Sequence, residues 1–159
     1  MATTRAQVMA AVLARVNAMT FSSPINGAST WKMTVSNRLR LWGDVAVDQQ
    51  PAAFLVTHRE MDEYRGLGLL RRRLELGVWC YSQSGQPGAD QPGAQPDLDV
   101  MMEAFEQQFG ANAADNFSTN QLTLGGLVYW CRIEGRVFKD PGDLDGQTLM
   151  IVPIVVEMP

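Results

Sequence analysis

The run RRRLELGVWCYSQ, residues 71–83, narrows the folds open to this chain more than any other stretch. Leu74, Leu76, Val78 and Cys80 recur at every second position, with Arg73, Glu75, Gly77, Trp79 and Tyr81 between them. Successive side chains of a strand point to opposite faces, so this alternation predicts a half-buried β-strand. Its second face turns aromatic near the end, which calls for packing there as well. A sheet with an apolar face must bury it against another layer.

Two helical stretches supply that layer. Residues 4–19 carry Val8, Val12, Leu13, Val16 and Met19 at helical spacing, behind Thr4 and Gln7 in the positions of a capping box. A second helix is expected to open at Asp97, an N-cap after Pro96, with Leu98, Met101, Met102, Phe105 and Phe109 as its stripe and Gly110 at its end. Further strands are expected in the Met33–Leu41 region, at Ala53–His58 behind Pro51, through GGLVYWCRIEG, and in the closing TLMIVPIVVE. The closing run is apolar on both faces and belongs in the centre of the sheet, although Pro153 argues for a bulge or an edge at its own position. Polar or Gly/Pro-rich segments near 20–31, 60–70, 82–96 and 138–147 are expected as mobile loops. The order predicts a single α+β domain over 1–159. Its sheet is largely antiparallel or mixed, of four to five strands, with two main helices packed on one face.

Composition narrows the function classes. A chain of 159 residues with 46% hydrophobic and 19% charged side chains is globular and long enough to form a core without a disulfide or metal staple. The net charge of −4 argues against nucleic-acid binding as the main task. Arg38, Arg40 and Arg71–Arg73 are the places for a local basic patch. No apolar run reaches membrane-spanning length and no signal-peptide pattern opens the chain, so the expectation is a soluble protein made in a cytoplasm, with no membrane partner.

Catalytic constellations are not recognisable. His58 is the only histidine, and with Cys80 and Cys131 far apart in sequence no zinc signature can be assembled. The two cysteines are expected as buried thiols, a disulfide requiring their strands to be neighbours. No G-x-S-x-G elbow or phosphate-binding loop occurs. Setting Gly146 as the sixth residue of a calcium loop places Pro141 and Val152 where ligands are needed, so DPG and LDG read as turns. The expectation is therefore no enzyme, no cofactor and no metal.

Taken in order, the N-terminal helix, RLRLWGDV, QPAAFLV, RRRLELGVWCYSQ, LDVMMEAFEQQF, QLTLGGLVYWCRIEGRV and DGQTLMIVPIVVEM resemble the tail terminator proteins of long-tailed bacteriophages. The segment from Leu124 to Gly135 is similar to that family's L-G-G-x-V-x-x-x-x-I-E-G pattern. The resemblance implies a virion protein, assembled in the host cytoplasm, that forms a homohexameric ring, caps the tail tube and stops its polymerisation. One face would meet the tail-tube protein and the other the head-side connector or stopper, with DNA only as cargo in the channel. Trp42, Arg71, Arg72, Trp79, Arg132 and Glu134 are the interface candidates, because aromatics and arginines anchor interfaces. The bland alternative places the tryptophans in the core and the charges in solvent. Rival functions are another neck protein, for tail completion or head–tail joining, and a small ligand-binding or enzymatic α+β domain.

Overall fold

The computed structural model describes residues 3–24, 27–66, 69–83, 95–142 and 146–159. Its elements are helix α1 (Arg5–Asn17), strands β1 (Met33–Ser36), β2 (Ala52–Arg65) and β3 (Leu69–Gln83), helix α2 (Gln95–Phe109), and strands β4 (Trp130–Ile133), β5 (Phe138–Asp140) and β6 (Gln147–Met158). The strands form one six-stranded sheet in the order β1-β2-β3-β6-β4, with β5 also paired to β6. Only β1 and β2 run parallel; every other pair is antiparallel. This is the expected α+β mixed sheet, with six strands rather than four to five.

Both helices lie on one face of the sheet. Val8, Val12 and Val16 of α1 and Leu98, Met101, Phe105 and Phe109 of α2 are buried in one core with Leu74, Leu76, Val78 and Cys80 of β3 and the even-numbered residues Met150–Met158 of β6. Thr4 caps α1 as expected, its hydroxyl accepting from the Gln7 amide while the Gln7 side chain accepts from the Thr4 amide. Arg15 ties the helices together by donating to the Gln108 carbonyl at 3.1 Å.

The closing strand is central. β3 pairs with β6 from Gln83↔Gln147 to Arg72↔Met158, and on the other side β4 covers Ile154–Glu157 while β5 covers Leu149–Ile151. Pro153 falls opposite the break between β4 and β5. Its carbonyl accepts from Glu134 on that side, so the amide proton it lacks would have faced a gap that holds no strand. A proline is tolerated in the middle of the sheet because its neighbour there is split in two.

The segment near 60–70, expected as a loop, is the distal part of a long hairpin. β2 continues through Arg65, and β3 begins at Leu69. A bulge between Thr57 and Arg59 shifts the register. Beyond it the strand is exposed on both faces, so HREMDEYR shows no period of two. Asp97 is not a cap: α2 already begins at Gln95, and Asp97 is buried in its first turn, accepting from the Ser23 hydroxyl at 2.7 Å. Residues 84–94 of the segment near 82–96 lie outside the described residues; Ser82 and Gln83 close β3, and Gln95 and Pro96 open α2. Within 138–147 the first three positions form β5, while Gly142 and Gly146 carry the positive φ expected of turns. In the segment near 20–31, Phe21 and Trp31 are buried and meet edge to face, with ring centroids 4.9 Å apart. After β1 the chain leaves the extended form, and Trp42 begins a 3-10 turn.

Phe105 is fully buried between Trp31 and Phe109. Phe105→Ala should lower unfolding free energy by about 3–5 kcal/mol in urea titrations. Glu103→Ala on the exposed side of the same helix should change it by no more than about 0.5 kcal/mol.

Candidate interaction surface

The helices leave the second face of the sheet to other means of cover. At one end residues 37–51 fold over it, forming a small core of Val45, Ala52, Phe54 and Tyr81, with Met33, Val35, Trp42, Trp79 and Leu149 packed around. Across the remainder, among the described residues, the sheet is covered only by its own side chains. Register places them: Arg71, Arg73, Glu75 and Trp79 of β3, Val155 and Glu157 of β6, and Trp130 and Arg132 of β4 share this face.

The charged members form a cross-strand lattice. Arg71 reaches Glu157 at 2.6 Å and lies 5.1 Å from the Tyr129 ring centroid. Arg73 donates to Glu134 at 2.8 Å, and Arg132 donates to the other oxygen of the same carboxylate at 2.7 Å. Arg132 also stacks on Trp130, 4.3 Å from its centroid. Two guanidiniums on one carboxylate hold the Glu134 carboxyl below the ordinary carboxylate range, the hydrogen bond from Arg73 contributing most. Arg73 is raised in turn, chiefly by that same bond. One donor is unmatched: the buried Arg73 Nε stands 3.7 Å from Glu75, beyond hydrogen-bonding range.

The bulge fixes where His58 sits. His58 lies over Gly77, where a Cβ would come within 2.0 Å of its Nε2. That nitrogen accepts from the Trp79 indole at 3.4 Å. The glycine in the alternating run is therefore a seat for an imidazole. Beside it, His58, Arg73, Glu75, Glu134 and Pro153 line a shallow cavity of about 300 Å³.

Of the six candidates, Arg71, Trp79, Arg132 and Glu134 are brought together on this face. Trp42 stands at its covered end, half-buried, its indole donating to the Ser82 carbonyl at 3.2 Å. Arg72 is not with them. It points to the helix side, 2.9 Å from Asp62 and 3.1 Å from Glu60, the latter also bound by Arg5 of α1. Odd and even positions of β3 face opposite ways, so neighbouring arginines cannot serve one surface. Tyr129, Trp130, Arg73 and Glu157 also belong to this face and were not among the candidates. The period-two reading already placed Arg73 beside Trp79, whereas Glu157 needs the β3–β6 register, which no local pattern reveals.

The expected strand through GGLVYWCRIEG is shorter than its pattern. Leu124, Gly125 and Gly126 all have positive φ. The Asp115 carboxylate gathers the amides of Thr123 and Gly125, so the chain turns sharply and β4 begins only at Trp130. Those amides bring the Asp115 carboxyl below its usual range in spite of the desolvation that opposes them. Within β4 the alternation holds, with Cys131 buried and Arg132 exposed.

Cys80 and Cys131 are both free and buried, on strands separated by β6. Burial raises the Cys80 thiol well above its ordinary value and pushes Cys131 up to about 12, so neither supplies a thiolate nucleophile at neutral pH. Among the described residues no group of three or more His, Cys, Asp or Glu side chains is placed to hold a metal ion, and no helix is long and apolar enough to cross a membrane. What the face offers chemically is recognition: fixed aromatic rings, guanidiniums and a shared carboxylate. No protein-family model matches the sequence, and no curated protein is significantly similar to it.

Two outcomes test the geometry of this face. Because the Glu134 carboxyl is depressed in the folded state, its contribution is complete above the ordinary carboxylate range and is lost as pH falls through the folded value. Glu134→Gln should therefore cost about 0.5–1 kcal/mol at neutral pH after solvent screening, with the gap to the parent closing on acidification in urea melts. Gly77→Ala should destabilise by about 1 kcal/mol and change tryptophan fluorescence by expelling His58 from Trp79. In a His58→Ala background the same substitution should be neutral or stabilising.

Proposed function

We propose that this protein caps the tail tube of a long-tailed bacteriophage, ends its polymerisation and presents the tail-side interface to the head connector. It acts as a homohexameric ring within the virion, without catalysis. The observation that carries this reading is the sheet face left bare of helices, where aromatic rings and paired guanidiniums are already held in place. Side chains fixed before docking lose little further entropy on contact, which favours a stable interface over a transient one. Trp79 and Trp130 with Arg71 and Arg132 are also the residue types that dominate interface energetics. The ordered series of segments similar to tail terminators, from the N-terminal helix to the closing strand, supplies the choice of partner. Capping is steric: a ring seated on the last tube layer covers the surface that the next layer would use.

The test is genetic and visual. In a phage lacking this gene, electron micrographs should show overlong tails without heads. Tails of normal length that lack heads would assign the protein to joining rather than termination, and fully assembled infectious particles would overturn both roles.

A further inference from the structure

Over the face of the sheet opposite the helices, the segment after β1 displays apolar side chains to solvent on a fixed backbone. Leu41 is 72% exposed and Leu39 is 40% exposed, flanked by Arg38 and Arg40. The Tyr81 hydroxyl donates to the Arg40 carbonyl at 2.7 Å, Asn37 donates to Leu55 at 2.9 Å, and Asp44 donates back to Leu41 at 2.9 Å. These bonds anchor both ends of the strip. Among the described residues neither Arg38 nor Arg40 makes an ion pair, in a chain whose other sheet-borne arginines mostly do.

At the β4 edge of the sheet, α2 and β4 enclose a groove of about 480 Å³, within the range of binding clefts. Its apolar wall includes Met102, Phe109, Leu122 and Ile133, and Glu106 stands at its rim. Glu103 and Glu106 together line an adjoining depression. Both carboxylates are exposed, and among the described residues neither is ion-paired. Arg132 also lines the groove, but its charge is met by Glu134 and its plane by Trp130.

The two features complement each other in charge and in apolar character, and they do not meet within one chain, because the strip crosses the face of the sheet opposite α2, bonded to Tyr81 of β3. We propose that the Arg38–Leu41 strip of one copy docks in the α2–β4 groove of the next, Leu39 and Leu41 entering the groove and Arg38 and Arg40 facing Glu103 and Glu106. Such a contact joins unlike patches, so it runs in one direction around an assembly and can close into a ring. It gives the proposed ring its subunit joint and rests on that reading only for the closure; the pairwise contact stands separately.

The full chain supplies its own test by charge exchange. In variant A, Arg38→Glu and Arg40→Glu reverse the strip; in variant B, Glu103→Arg and Glu106→Arg reverse the groove. Arg38, Glu103 and Glu106 are exposed and Arg40 is half-buried, so circular dichroism melts should match the parent. Sedimentation of the parent should show concentration-dependent self-association that weakens with added salt. Each variant alone opposes like charges and should associate about tenfold more weakly or worse. An equimolar mixture of A and B restores complementarity at both kinds of joint and should recover parental association. A parent that stays monomeric up to about 1 mM, variants that associate as the parent does, or a mixture that fails to recover overturns the contact. Overlong tails in the gene deletion would survive that failure, and recovery in the mixture would survive normal tails.

Discussion

The burial of β6 is the constraint on which the rest of the structure depends. A strand whose even positions, Thr148 to Met158, are all buried beneath two helices must have neighbours on both sides to satisfy its backbone. β3 supplies one side along its whole length, and on the other two short strands share the task. Splitting that neighbour is what accommodates Pro153, and the chain crossing the split passes through Gly135, at φ 124 and close against the proline ring. The same crossing delivers Glu134 to the exposed face, where Arg73 and Arg132 converge on it. The charged lattice is thus a consequence of how the core strand is flanked.

What could be read from the sequence follows from where burial imposes a period. β3, both helices and the central place of β6 were legible because each presents a regular apolar face to one core. The distal half of β2 was not, since a strand exposed on both faces has no reason to alternate, and its charges mimic a loop. β5 is too short to show any period. The four interface candidates that share one face, Arg71, Trp79, Arg132 and Glu134, were chosen by residue type. Arg72 lies on the other side from them, and residue type carries no information about side; parity along β3 does. The shortness of β4 was hidden by Asp115, whose hold on the amides of Thr123 and Gly125 is a contact at a distance along the chain.

The exposed face and the helix face handle charge differently. On the helix side Arg5, Glu60, Arg72 and Asp62 link α1 to the hairpin through partly exposed ion pairs. Pairs of that kind contribute little to stability. On the bare face Glu157 is largely shielded, while Arg71 and Arg132 are more exposed than Arg72 and lie over Tyr129 and Trp130. There each of these two guanidiniums adds a contact with an aromatic ring to its ion pair.

The bulge at His58 has a meaning for how this chain can change over generations. One extra residue inverts the inside–outside code of everything distal to it, so that Glu60 and Asp62 fall on the helix side and Arg59, Met61 and Glu63 on the other. The outer arm of the hairpin therefore keeps its own reading frame, separate from the part that lines the core. A lineage that lost or gained a residue there would exchange the two faces of the arm at a stroke, while Phe54, Leu55 and the strands beneath kept theirs. Insertion or deletion at the bulge can thus redirect this surface as substitution cannot, at the expense of the contacts that Glu60 makes with Arg5 of α1 and with Arg72.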